Sequence, residues 1–270
     1  MVTDFRMARL FGASGNVLNV AMDHGMFGEL GLLTGLESLS EAVALVAGAG
    51  PDAIQLTAGQ ARHLQSIPGR GRPALVLRID TANVYGDELP HHLFSLASPA
   101  SVEEAVRLDA ACVVLNLFDI PGRPDVRDAC IRNILEVRAA CHRFSMPLMV
   151  EPLVARLNVG RGYEVNGDID AILPLARQAV ELGADLLKVD PPDDLSTFHQ
   201  VVDVADVPVL VRGGSKVSEA ELLERTRMVL DQGARGVVYG RNIIQHEDPV
   251  RLVGKIMRIL HPAGDAEGPM

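Results

Sequence analysis

Lysine is scarce in this chain. Among 25 Lys and Arg residues only Lys188, Lys216 and Lys255 are lysines. Lys188 lies within Ala184-Asp-Leu-Leu-Lys-Val189, an aliphatic run of the kind that makes a buried strand. An ammonium is rarely tolerated there without a reason. Burial lowers its pKa and frees a neutral amine to attack a carbonyl. The plainer alternative is an end-of-strand lysine paired with Asp185 or Asp190. Strand position and the rarity of lysine together weigh toward the nucleophile.

Two glycine-bearing turns suggest a phosphate site. Val211-Arg-Gly-Gly-Ser215 and Tyr239-Gly-Arg-Asn242 each follow a short apolar run. Gly213, Gly214 and Gly240 allow close approach of backbone N–H groups to an anion, Ser215 offers a hydroxyl, and Arg241 a bidentate contact. Either turn alone could serve turn geometry only; the pair is more specific. Arg78, ending another apolar run, joins them as a substrate-binding candidate. Asp23, His24 and Glu151 are the proton-transfer candidates, with Glu151 first for the base, because a buried carboxylate needs a partner. No metal is expected, since His91 and His92 are adjacent and no His/Asp cluster falls at strand ends.

These residues must be positioned by strands. Continuous apolar runs are found at Val17–Met22, Ala53–Thr57, Ala74–Arg78, Cys112–Leu117, Pro147–Glu151, Leu186–Val189, Val207–Val211 and Gly236–Tyr239. Runs of that kind fit a parallel sheet covered on both faces. Helical periodicity fills the gaps, at Leu36–Ala47, Val102–Leu108, Asp128–His142, Ala171–Leu182, Glu219–Gln232 and Pro249–Leu260. Gly48, Gly183 and Gly233 are expected as left-handed helix stops. Eight strands alternating with helices in 270 residues predict one (β/α)8 TIM barrel over 1–262, with a flexible tail over 263–270. A dinucleotide fold is set aside because Gly12-Ala-Ser-Gly15 precedes its strand. In a barrel, the reactive residues belong at the C-terminal ends of the strands, where all the candidates fall.

A net charge of −10 argues against nucleic acid and anionic membranes as partners. Three cysteines without a CxxC pair fit a reducing compartment. No signal peptide or membrane span is evident, so a cytoplasmic location is expected.

Met22-Asp-His-Gly25, Lys188 after Gly183-Ala-Asp, Gly213-Gly214 with Lys216, and Gly236-Val-Val-Tyr-Gly-Arg-Asn-Ile-Ile-Gln245 resemble one family. It is the DhnA-type branch of the DeoC/LacD class I aldolases. That branch takes in archaeal-type fructose-bisphosphate aldolases, aminodideoxyheptulosonate synthases and an autoinducer-phosphate thiolase. The resemblance spans nearly the whole chain. It implies Lys188 as the Schiff-base lysine and Asp23 as its assisting carboxylate. It also implies a phosphate site at Gly214, Ser215, Gly240 and Arg241, no cofactor, and a homo-oligomer. The chain departs from the fructose-bisphosphate members, which carry a proton-transferring Tyr on the fifth strand, by having Val150-Glu151-Pro152. The expected activity is a metal-independent lyase that makes or breaks a C–C bond in a phosphorylated ketose or keto-phosphate. Two alternatives stay open. One is lysine-dependent acyl transfer from a phosphorylated dione to coenzyme A. The other is a non-catalytic barrel that binds sugar phosphates. Asp193 and Asp194, following Lys188, count against a second phosphate.

Overall fold

A computed structural model of the chain describes residues 4–12, 14–69, 71–85, 92–158 and 162–262. The tail expected over 263–270, and His91, lie outside them. The strands are β1 (Val17–Ala21), β2 (Ala53–Thr57), β3 (Ala74–Arg78), β4 (Asp80–Ala82), β5 (Ser95–Ala97), β6 (Ala110–Asp119), β7 (Leu148–Asn158), β8 (Gly162–Val165), β9 (Leu186–Val189), β10 (Val209–Arg212) and β11 (Gly236–Tyr239). β1, β2, β3, β6, β7, β9, β10 and β11 pair in parallel, and β6 against β7 and β1 against β11 close the ring. Helices lie between the strands, so the fold is a single (β/α)8 barrel.

Strand alternation divides the apolar residues into two cores. Leu18, Val20, Leu187 and Val189 face the helices, in the larger cluster. Val17, Ala53, Val76, Cys112, Val114, Met149, Leu186, Leu210 and Val238 fill the barrel, with Leu10 from the first helix (Asp4–Leu10) plugging its base. The three cysteines are free and buried. At the β1–β11 seam Gly236 has φ +138°, and a Cβ there would stand 2.1 Å from the Val17 carbonyl oxygen, so the register Val17↔Gly236 requires glycine.

Two expectations change. The helix Leu39–Gly48 includes Gly48, and Gly50, at φ +75°, is the left-handed residue; Gly183 and Gly233 do have positive φ. β7 does not stop at Glu151. It runs on to Asn158 because β8 folds back on it as an antiparallel arm, with Ala155↔Val165 through Asn158↔Gly162. Glu151 therefore lies within a strand rather than at its end, and its backbone is fixed by pairing with Asn116 of β6. No helix among the described residues is long and apolar enough to cross a membrane.

Candidate active site

Six of the eight barrel strands end their inward row on a polar side chain. Leu186 is followed two residues on by Lys188, Met149 by Glu151, Val76 by Arg78, Leu210 by Arg212, Ala53 by Gln55 and Val114 by Asn116. Because side chains alternate with period 2, a residue two places beyond an interior one also points inward. The result is a polar layer resting on an apolar plug at the C-terminal mouth. Lys188 and Glu151 are nearly inaccessible there, at 4% and 3% exposure.

The charges in this layer share partners, three cations among four carboxylates. Lys188 Nζ donates to Glu151 Oε2 at 2.9 Å, and Arg78 Nη2 donates to the same oxygen at 2.5 Å. Arg212 Nη1 reaches Glu151 Oε1 at 3.3 Å, and its Nε lies 2.8 Å from Asp190 Oδ1. Arg78 also donates through Nε to Asp23 Oδ2 at 2.7 Å and through Nη1 to Asp80 Oδ1 at 3.1 Å. Gln55 Nε2 gives Asp23 Oδ2 a further bond at 2.7 Å, and Asn116 holds Asp80. Asp23 thus leans on Arg78 and Gln55, and Lys188 on Glu151 rather than on Asp185 or Asp190.

Burial disfavours every one of these charges, and neighbours decide the outcome. Burial pushes the Glu151 carboxyl up, but Lys188, Arg78 and Arg212 overcome it and hold the group well below the usual carboxylate range. Asp23 is lowered in the same way, by Arg78 and Lys188 against burial. Burial lowers Lys188, with Arg78 and Arg212 adding to it against the pull of Glu151, so the neutral amine is favoured over that of a free lysine. Burial raises Asp190 despite Arg212.

Arg241 lines the same cleft. Its Nη2 donates to the Gly214 carbonyl at 3.0 Å, and no carboxylate pairs with it among the described residues. Burial, then the neighbouring Arg212 charge, lowers its pKa. A cation short of counter-charge is what a site for an anionic ligand leaves open. Asn242 staples the two turns, donating to Gly213 O and Ser215 O while accepting from Val217 N–H. Gly240 allows close packing: a Cβ on it would meet His24 Cε1 at 2.3 Å. His24 opens a short 3-10 turn (His24–Phe27), its Nδ1 has no hydrogen-bond partner, and burial pushes its pKa down to about 4.

Lys188, Glu151, Arg78, Asp23, His24, Gly213, Gly214, Gly240 and Arg241 all line one cleft. Three expected anion contacts do not fit as expected. Arg78 is spent on three carboxylates. The Gly213 N–H is taken by Val238 O at 3.0 Å. Ser215 is exposed and is held through its carbonyl.

A family model described as DeoC/LacD family aldolase matches residues 17–246. The chain belongs to that family. A Saccharolobus solfataricus protein described as an uncharacterised aldolase is 36% identical over 97% of this chain and 96% of its own length. A 3-hydroxy-5-phosphonooxypentane-2,4-dione thiolase of Klebsiella pneumoniae is 29% identical over 95% of this aldolase and 80% of its own length. Among solved structures, an archaeal fructose 1,6-bisphosphate aldolase superposes with a TM-score of 0.77 at 27% identity, covering 97% of this chain and all of the other. A further structure of such an enzyme, with the same TM-score and identity and covering 97% of this chain and all of its own, carries its catalytic lysine covalently bound to a carbinolamine intermediate. The aldolase described here is accordingly a lyase of the class I, Schiff-base type.

Several cleft residues escaped the sequence reading. Gln55, which holds Asp23 from outside the cleft lining, obeys the same alternation as Lys188, and that signal would have found it. Tyr85 lines the cleft from a loop and Phe27 and Leu32 from short 3-10 turns, where no long periodicity points.

Proposed function

We propose that Lys188 is the Schiff-base lysine and that the substrate is a keto compound carrying a phosphate. The observation that carries this reading is the buried Lys188 amine, held on Glu151 in the same cleft as Arg241, which has no carboxylate partner among the described residues. The relatives' names agree with it, since a fructose bisphosphate and a phosphonooxy-dione are both phosphorylated carbonyl compounds.

The phosphate rests on Arg241 and the backbone of Gly214 and Gly240, with neutral His24 beside it. That anchor brings the ketone to Lys188 and supplies orientation, worth several kcal/mol of barrier. The neutral amine adds to the carbonyl, water leaves, and the iminium becomes the electron sink for C–C cleavage. Glu151 keeps its charge against three cations, so its part is to stabilise the iminium rather than to take up a proton. A carboxylate held so low is a weak base. Asp23 positions Arg78, which in turn positions Glu151.

Borohydride reduction in the presence of dihydroxyacetone phosphate tests the assignment. The adduct mass is expected on the peptide bearing Lys188. Label on Lys216 or Lys255 instead, or on no lysine, would refute it. Coenzyme A added to the turnover assay is expected to leave the rate unchanged; acceleration would point to acyl transfer.

A further inference from the structure

C–C bond formation and cleavage also require a group that carries a proton at the reacting oxygen, and the carboxylates of the cleft are poorly suited to it. Glu151 and Asp23 are fixed as anions by Arg78, Lys188 and Arg212. Two uncharged side chains that can hold and release a proton line the cleft, His24 and Tyr85. They differ in what holds them. His24 packs on Gly240, at the phosphate turn. Tyr85 stands over the Glu151 side, where Arg212 Nη1 donates to its Oη at 3.2 Å and to Glu151 at 3.3 Å.

The direction of that bond matters. Tyr85 Oη accepts from Arg212, so its own O–H is not used on the guanidinium, and among the described residues no other acceptor takes it. The ring is set by Phe27, edge-on at 4.3 Å between centroids, and by Phe118 at 6.4 Å. A phenol thus stands in the cleft, packed on Phe27, with no acceptor for its proton among the described residues and the Arg212 cation beside its oxygen. Burial pushes its pKa up to about 12, with Arg212 opposing, so it carries its proton across the neutral range.

We infer that Tyr85 is the proton-transfer residue for the C–C step, working with Arg212 from the segment after β4. This rests on Lys188 as the Schiff-base lysine. In the bond-forming direction the enamine carbon adds to the aldehyde carbon. The carbonyl π pair moves onto oxygen, which takes the Tyr85 proton. An iminium on Lys188 and a phenolate on Arg212 result. Water then adds to the iminium, the carbonyl product leaves, and the proton released with the neutral amine returns to Tyr85. Cleavage is the reverse, with the phenolate accepting the hydroxyl proton as the bond breaks.

Tyr85→Phe keeps the ring packing and deletes the hydroxyl. Turnover with a phosphorylated ketose such as fructose 1-phosphate is expected to fall roughly 10²–10⁴-fold, while borohydride trapping of dihydroxyacetone phosphate at Lys188 stays within a few-fold of wild type. Replacing the three tyrosines, Tyr85, Tyr163 and Tyr239, by fluorotyrosine lowers the phenol pKa, and the basic limb of the pH–rate profile is expected to shift down with it. Turnover surviving the Phe substitution, or trapping and turnover lost in equal measure, overturns the role of Tyr85. An unmoved basic limb does the same. Absence of a Lys188 adduct in the wild type overturns the lysine assignment itself, and the Tyr85 step falls with it.

Discussion

Replacing Glu151 by Gln removes one negative charge from among three cations while keeping the side chain's size. The carboxylate stands 2.9 Å from Lys188 Nζ. At an effective dielectric constant of about 20, a unit pair at that distance is worth about 6 kcal/mol of Coulomb energy. Relaxation and desolvation reduce what is observed, and breaking one partner of a buried pair typically costs about 3–5 kcal/mol. Both the folded state and the iminium depend on this charge. The substitution is therefore expected to lower the yield of borohydride-trapped Lys188 adduct by roughly 10²-fold or more, since each 1.4 kcal/mol is about a factor of ten. The melting temperature should fall by roughly 6–20 °C for a chain of this size. The loss of Glu151 also removes the group that raises the Lys188 pKa, so that pKa moves further down. The assay is single-turnover trapping across pH beside a melting curve on the same protein. Trapping and stability near wild type with turnover down 10²–10⁴-fold would refute the reasoning and make Glu151 a general base.

Arg241→Ala is expected to raise KM for phosphorylated substrates far more than for unphosphorylated analogues, because it removes a contact present in ground and transition states alike; steady-state kinetics with both substrate types checks this, and equal losses would remove Arg241 from the anion site. His24 titrates near 6.5 when unfolded and at about 4 in the fold. Its contribution to stability is therefore complete above about 6.5 and lost as pH falls toward 4, by about 3 kcal/mol in all. Urea unfolding of wild type and His24→Asn between those pH values should show a shallower acid slope in the variant; parallel slopes would contradict it.

Much of the fold was legible because apolar runs and helical spacing are local signals. The runs at Ala53–Thr57, Ala74–Arg78, Leu186–Val189 and Gly236–Tyr239 match the strands as they stand. What local signals could not show was partnership across the barrel. The extension of β7 beyond Glu151 exists only because β8 returns along it, and Arg78 looks like an anion ligand until its three carboxylates are seen. Lys188 was legible because a lone lysine in an aliphatic strand is out of place. Tyr85 was not, because its position depends on contacts with Phe27, Phe118 and Arg212, far apart in sequence.

The seam between β1 and β11 has a consequence for how the chain reaches its native state. Val17 waits for Gly236, so the ring closes only when nearly the whole polypeptide is available, and the loop-closure entropy of that pairing is among the largest in the chain. Contacts of such long sequence separation slow folding. Until they form, the backbone groups of β1 on that side are an unpaired strand edge, open to association with other chains. A side chain at position 236 would wedge the seam apart and prolong that exposure. Substitution of Gly236 should therefore show itself first in soluble yield, at a position remote from every reacting group.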